Sequence, residues 1–183
     1  MKRLLIQIQC NPPQNNTYYN FTYLDPMFED FLNATDSHSR IINFCTQPNW
    51  LFNQSTPHIY PDNASLIDWG YPVGTVLLDN TMRDLGDYYG RLIAWYTNGG
   101  FIDEYGRKHI SNYQYKWDYT EIFNEVNSEH HMNAPFYTRT YDAVIQGIRR
   151  HTNNSEMKYV GLALSSKILS EYILSRILSV SRS

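Results

Sequence analysis

Short apolar runs alternate with amphipathic helical stretches along the chain, and this alternation limits the possible folds more than any other feature. The run Tyr119–Phe123 ends abruptly in Asn124-Glu125, and a polar loop follows. Pro135 then opens a helical stretch, and a second strand-like run begins at Met157. A strand, a helix and another strand make a βαβ unit, whose two strands are parallel. The pattern therefore predicts an α/β fold.

Periodicity predicts four strands and four helices. The predicted strands are Leu4–Gln9, Arg40–Cys45, Tyr119–Phe123 and Tyr159–Leu164, and the predicted helices are Pro26–Thr35, Thr75–Tyr96, Pro135–His151 and Ser166–Val180. Asp25 is the expected N-cap of the first helix, and Asn98-Gly99-Gly100 is expected to end the second. The segment Phe101–Tyr115 is predicted to be a polar excursion without strands.

Two parallel architectures fit this order of elements, an open doubly wound sheet and a (β/α)8 barrel. No glycine-rich phosphate loop follows any predicted strand, which disfavours the nucleotide-binding version of the open sheet. A full barrel needs about 250 residues and eight strands. The expectation is therefore a single, incomplete TIM-barrel domain that spans residues 1–183 and contains the middle strands and helices.

Charge and composition limit the partners of the chain. A net charge of −3 leaves no basic stripe for nucleic acid, and no apolar run reaches the length of a membrane span. The apolar start is too short for a signal peptide and is broken by Gln7 and Gln9. Glycosylation sequons nevertheless favour a secreted or lysosomal glycoprotein, although an asparagine-rich composition alone also generates them. The sequons begin at Asn15, Asn20, Asn33, Asn53, Asn63 and Asn153.

No cofactor and no metal are expected. Glutamates and histidines cluster between Glu125 and His131, but they lack the helical spacing of a zinc site. Cys10 and Cys45 both follow predicted strands, and either one disulfide or two buried thiols fits them.

The segment from residue 40 to residue 164 resembles a family of clan A glycoside hydrolases. Asn124-Glu125 after a strand is similar to the Asn-Glu pair of that clan, and an ordered series of motifs around it resembles glycoside hydrolase family 39, which includes β-xylosidases and α-L-iduronidases. The series comprises Leu92–Phe101, Asp103–Gly106, Tyr119–Glu125, Glu129–Met132, Tyr141–Ala143, Ile148–Arg150 and Val160–Leu164. The resemblance implies a TIM barrel that hydrolyses O-glycosyl bonds with retention of configuration.

The resemblance also implies roles for two residues. Glu125 matches the general acid/base, and Asn124 matches the residue that hydrogen-bonds the sugar 2-hydroxyl. A retaining enzyme needs a second carboxylate about 5–5.5 Å away as nucleophile, and no residue of this chain matches it. The expectation is a fragment or truncated homologue that is inactive alone.

Other residues of the same loops are candidates for sugar contact. Trp50 follows the Arg40–Cys45 strand and could stack on a sugar, or simply pack in its loop. His130 and His131 could line the cleft, or remain solvated. The expected partner is a carbohydrate, β-xyloside-like or another glycoside. The alternative is a non-catalytic carbohydrate-binding or interaction protein derived from the same fold.

Overall fold

A computed structural model of the protein describes residues 10–11, 16–17, 19–36, 38–44, 51–53, 76–127 and 132–164. The fold is mixed α/β, as the alternation predicts. The chain divides into two compact units, residues 1–39 with 46–76 and residues 40–45 with 77–183. The predicted strand Leu4–Gln9, the predicted helix Ser166–Val180 and Cys45 lie outside the described residues.

The described part of the first unit contains one helix and one short antiparallel pair of strands. Strand β1 (Cys10–Asn11) pairs with β2 (Asn16–Thr17). Helix α1 (Leu24–Thr35) confirms the predicted helix, and it buries Leu24, Phe28 and Leu32, which are spaced four residues apart. Asp25 is not the N-cap, because the helix begins one residue before it. Its carboxylate lies instead in the first turn, near the positive end of the helix dipole.

The described part of the second unit contains seven elements, which comprise the predicted α/β alternation and a hairpin. In chain order these are β3 (Ile41–Phe44), α2 (Arg83–Thr97), β4 (Gly100–Ile102), β5 (Lys108–Ile110), β6 (Tyr119–Ile122), α3 (Ala134–His151) and β7 (Lys158–Val160).

Three of these strands form one parallel sheet in the order β3-β6-β7. Ile42 pairs with Thr120 of the central strand, and Thr120 pairs with Tyr159 on its other side. The described strands therefore form an open sheet, and each pair of neighbouring parallel strands is joined through a helix. The predicted strands at Arg40–Cys45, Tyr119–Phe123 and Tyr159–Leu164 are confirmed, each with shorter bounds.

Helix α2 begins at Arg83, not at the predicted Thr75. Residues 78–81, shortly before it, form bends and a turn, and Asp79 supplies the cap from outside the helix. Its Oδ1 accepts from Thr81 N at 2.8 Å, and its Oδ2 accepts from Asp84 N at 3.0 Å. A carboxylate that binds these amides holds the chain in a turn, so the helix cannot extend towards residue 75. The predicted end is right, because the helix stops at Thr97, before the two glycines.

Helix α3 follows the sequence prediction to within one residue. Asn133 is the N-cap, and its side chain accepts a hydrogen bond from Phe136 N at 3.0 Å. Pro135 occupies the first turn, where a missing N–H costs nothing. The basic residues Arg149, Arg150 and His151 lie in the last turn, at the negative end of the helix.

Helices α2 and α3 approach each other so closely that backbone meets backbone. A Cβ added to Gly147 would lie 1.9 Å from Gly86 O, and one added to Gly86 would lie 2.2 Å from Ala143 O. A Cβ on Gly90 would lie 2.4 Å from Gly147 O. Glycine is therefore required at all three positions, and the two helices form one tightly packed pair.

The segment predicted as a polar excursion contains an antiparallel hairpin, so that prediction is wrong. Strands β4 and β5 pair with Phe101 opposite His109, and Gly106 takes φ 78° in the turn between them. The Asp103 side chain is fully buried and accepts from Arg107 Nε at 2.7 Å and His109 Nε2 at 2.9 Å. Burial alone would raise the pKa of Asp103, but these bonds and those from the turn amides hold the pKa well below its usual range.

Candidate functional site

The candidate site is the turn that follows β6, the central strand of the parallel sheet. Asn124 and Glu125 lie in this turn, at the carboxyl edge of the sheet, and both are half-buried. Parallel α/β folds bring the loops after neighbouring strands together at this edge. The ends of β3 and β7, on either side of β6, therefore supply the surroundings of the two residues.

The backbone of the turn twice enters the left-handed region, with φ 63° at Phe123 and φ 44° at Glu125. Side chains of a regular strand alternate between faces, yet Ile122 and Phe123 are both buried. Phe123 packs edge-on against Tyr89 of α2, with ring centroids 5.6 Å apart. The left-handed turn thus ends the alternation at Ile122. Glu121 and Glu125 consequently do not belong to one continuous alternating face.

The turn is anchored on its far side as well. Val126 is buried, and its carbonyl oxygen accepts a hydrogen bond from Met132 N at 2.9 Å. The buried Met132 directly precedes the N-cap of α3. Glu125 therefore lies between the buried residues Phe123 and Val126, so its backbone position is fixed from both sides.

A polar pair lies beside this turn, on β3 and β6. Asn43 Nδ2 donates to Glu121 Oε2 at 2.6 Å, and its distance to Phe123 O is 3.4 Å. Asn43 Oδ1 is buried and has no hydrogen-bond partner among the described residues. A buried acceptor without a donor is costly in a native fold. Asn43 Oδ1 is therefore an unsatisfied polar atom between β3 and β6, next to the turn.

Tyr137 of α3 supports the same edge from the β7 side. Its hydroxyl oxygen accepts from Leu162 N at 3.0 Å. Burial raises the pKa of Tyr137 to about 12, with smaller contributions of the same sign from the nearby Tyr141 and Glu121. The phenol therefore stays protonated at neutral pH, so Tyr137 holds the loop after β7 and does not serve as a base.

Only some of the site residues predicted from the sequence belong to the part of the chain that the structure describes. Asn124 and Glu125 are adjacent at the carboxyl edge, whereas Trp50, His130 and His131 lie outside the described residues. Among the sequons, Asn33, Asn53 and Asn153 are exposed and Asn20 is half-buried. Asn15 and Asn63 lie outside the described residues.

Sequence reasoning missed Asn43 and Tyr137. Asn43 interrupts the apolar run Ile41-Ile42-Asn43-Phe44, and a polar residue inside a strand buried in a parallel sheet is a usable signal. Tyr137 gave no signal, because its helical spacing assigns it to an apolar face and its hydrogen bond joins it to the distant Leu162.

Two features are absent from the part of the chain that the structure describes. No group of three or more histidine, cysteine, aspartate or glutamate side chains there could hold a metal ion. None of the helices in that part combines the length and apolar character needed to span a membrane.

Comparison of the chain with protein-family models, curated proteins and solved structures finds no match. The chemistry of the site is therefore inferred from the residues of the carboxyl edge and from the motifs around them.

Proposed function

We propose that the chain is part of a (β/α)8-barrel retaining glycoside hydrolase similar to family 39, and that it carries the proton-transfer half of the active site. The observation that carries the proposal is the position of Asn124-Glu125, directly after the central parallel strand. Barrel enzymes place their chemistry at this edge. The three parallel strands that follow one another in the chain are neighbours in the sheet, an order compatible with a barrel and with one half of a doubly wound sheet.

In this proposal Glu125 protonates the glycosidic oxygen while the bond to the anomeric carbon breaks, and it later removes a proton from the attacking water. The Asn124 amide hydrogen-bonds the sugar 2-hydroxyl. The left-handed backbone at Glu125 also supports a functional role, because strained residues concentrate at active sites.

The nucleophilic carboxylate is proposed to lie outside residues 40–164, the segment that resembles the family. Without it no glycosyl-enzyme intermediate forms, so the chain alone should not turn over substrate. An external anion can replace such a carboxylate. Azide would attack the anomeric carbon, the bond to the aryl oxygen would break, and Glu125 would give that oxygen its proton.

The test uses the purified chain, an aryl β-xyloside with a poor leaving group, and about molar azide. We expect no hydrolysis without azide and slow formation of xylosyl azide with it, at least tenfold slower in Glu125→Gln. Glu156→Gln changes an exposed carboxylate elsewhere and should leave the rate unchanged. Equal rates in the wild type and Glu125→Gln would refute the acid/base role, and hydrolysis without azide that depends on Glu125 would refute inactivity of the chain alone.

A non-catalytic carbohydrate-binding protein predicts a different result in the same samples. The chain would bind the xyloside with an affinity that Glu125→Gln leaves unchanged, and azide would yield no product. A hydrolase fragment and a binder could both hold the sugar, so product formation and not sugar affinity separates the two functions.

A further inference from the structure

We propose that the second unit holds a separate binding site for a phosphate or sulfate ester, in a basic cleft formed by α2, the β4–β5 hairpin and the end of α3. The cleft has a volume of about 780 Å³. Its charged lining residues are Arg83, Asp87, Arg91, Asp103, Lys108, His109, Arg150 and His151. This inference does not depend on the proposed glycosidase function.

The basic cleft lies at the opposite edge of the sheet from Glu125. Helix α3 starts after the carboxyl end of β6 and ends before the amino end of β7. Arg150 and His151 belong to its last turn and therefore lie towards the amino edge of the parallel strands. A ligand in the cleft consequently does not occupy the carboxyl edge.

Basic groups from both helices converge on one carboxylate in the cleft. Asp87 Oδ1 accepts from Arg150 Nη2 at 2.7 Å and from His151 Nε2 at 3.1 Å. Arg83 Nε lies 3.6 Å from Asp87 Oδ2. One negative charge therefore faces two arginines and a histidine, which leaves positive potential in the cleft.

The remaining charges of the cleft do not remove this excess. Asp103 is fully buried and already accepts from Arg107 and His109 within the hairpin. Arg91 donates to Glu104, which is not a lining residue. With these two pairs set aside, Arg83, Lys108 and Arg150 face the single carboxylate of Asp87, an excess of two positive charges on a chain whose net charge is −3.

The chemistry of the lining selects the class of ligand. Guanidinium groups present several donors in a fixed plane, which matches the oxygens of phosphate and sulfate. Side-chain amides of Asn98, Asn112 and Gln114 add uncharged hydrogen-bonding groups. The exposed Ile102 and Ile110 form an apolar rim. The volume exceeds that of a bare anion and falls in the range of small-molecule sites, so we infer an anionic ester with an organic body.

The experiment titrates the full chain with phenyl phosphate and with phenyl sulfate by calorimetry at constant ionic strength. We expect saturable binding of at least one ester, and the stronger one identifies the anion. The double variant Arg83→Gln/Lys108→Gln removes two exposed cations of the cleft and should weaken binding at least fivefold. The double variant Lys116→Gln/Arg139→Gln removes two exposed cations outside the cleft and should weaken binding less than twofold.

A third variant separates loss of the site from loss of the fold. Asp87→Asn keeps the shape of the side chain but removes the carboxylate that competes with the ester for Arg83 and Arg150. We therefore expect tighter binding of the ester, by at least twofold, which damage to the fold would not produce. Absence of saturable binding to either ester, equal weakening in the two double variants, or weaker binding in Asp87→Asn would overturn the proposal.

Discussion

At Glu125 the backbone adopts φ 44°, a conformation that costs a residue with a Cβ about 1–2 kcal/mol. Phe123, two residues earlier, is also left-handed and pays the same kind of cost, but its fully buried ring offsets it. Glu125 is only half-buried and recovers less from packing. Under the proposed role, this strained backbone would fix the position of the Glu125 carboxylate.

Glycine occupies φ > 0 without this cost. We therefore expect Glu125→Gly to be more stable than Glu125→Ala by about 1 kcal/mol, measured as the free energy of unfolding in urea. Glu156 is exposed and has a negative φ, so Glu156→Gly should instead be less stable than Glu156→Ala. The same order of the glycine and alanine variants at both positions would contradict the strained geometry at Glu125.

Asp103 gives a prediction about acid stability. Its pKa is depressed in the folded state, so it stabilises the fold above pH 4, and this stabilisation is lost as the pH falls below the unfolded-state value. Asp103→Asn should lower the free energy of unfolding at pH 7 by about 2–3 kcal/mol. It should also flatten the fall in stability between pH 5 and pH 2, with a remaining slope from Asp87, whose pKa is depressed by Arg150 and His151 against the effect of burial.

Urea unfolding across this pH range checks the prediction, with the exposed Asp142→Asn as the control. Parallel pH profiles for the wild type and Asp103→Asn would show that the carboxylate of the hairpin contributes no pH-dependent stability.

At the residue scale, the sequence identified Asn124 and Glu125 as candidates but did not reveal the left-handed turn that contains Glu125. Alternation is a property of extended backbone, and nothing in Ile122-Phe123-Asn124-Glu125 marks the two left-handed residues, since neither is glycine or asparagine. The Asn43–Glu121 hydrogen bond joins residues 78 positions apart and depends on the register of two parallel strands, which the sequence does not reveal.

At the scale of elements, the contact between α2 and α3 is the most sensitive to substitution. Gly147→Ala would place a methyl group 1.9 Å from Gly86 O, and the obstacle is backbone that cannot rotate away. We expect a loss of about 3 kcal/mol or more in the free energy of unfolding, because overpacking here forces the helices apart.

The matched control is Gly106→Ala in the hairpin turn. Its Cβ meets nothing within 4 Å, so the substitution costs only the left-handed conformation, about 1–2 kcal/mol. Urea denaturation of both variants measures the difference, and a Gly147→Ala variant no less stable than Gly106→Ala would contradict the close approach of the helices.

The helix whose capping residue directly precedes it was predicted well, whereas the start of the helix that is capped by a more distant residue was not. Helix α3 has Asn133, Pro135 and terminal basic residues, and its bounds agree to one residue. The start of α2 was placed eight residues too early, because the capping carboxylate of Asp79 lies outside the helix. The hairpin was not predicted, because β4 and β5 are each three residues long. Such strands are too short to show the alternation of apolar and polar residues that is typical of a strand.

For the whole molecule, the α/β class followed from the alternation of apolar runs and helical stretches. The sheet order β3-β6-β7 could not be derived in this way, because the same alternation builds open sheets and barrels. Strand tilt and stagger decide whether the sheet closes into a barrel, and neither can be derived from the sequence of a single strand such as Tyr119–Ile122.

The glycine contacts between α2 and α3 also have a mechanical consequence. Two helices that touch through their backbones cannot slide or rotate past each other, so they move as a single rod. Helix α3 has 18 residues and is about 27 Å long. The turn that carries Glu125 leads into one end of this rod and the basic cleft lies at the other. A shift of the rod along its axis would therefore move both ends by the same distance.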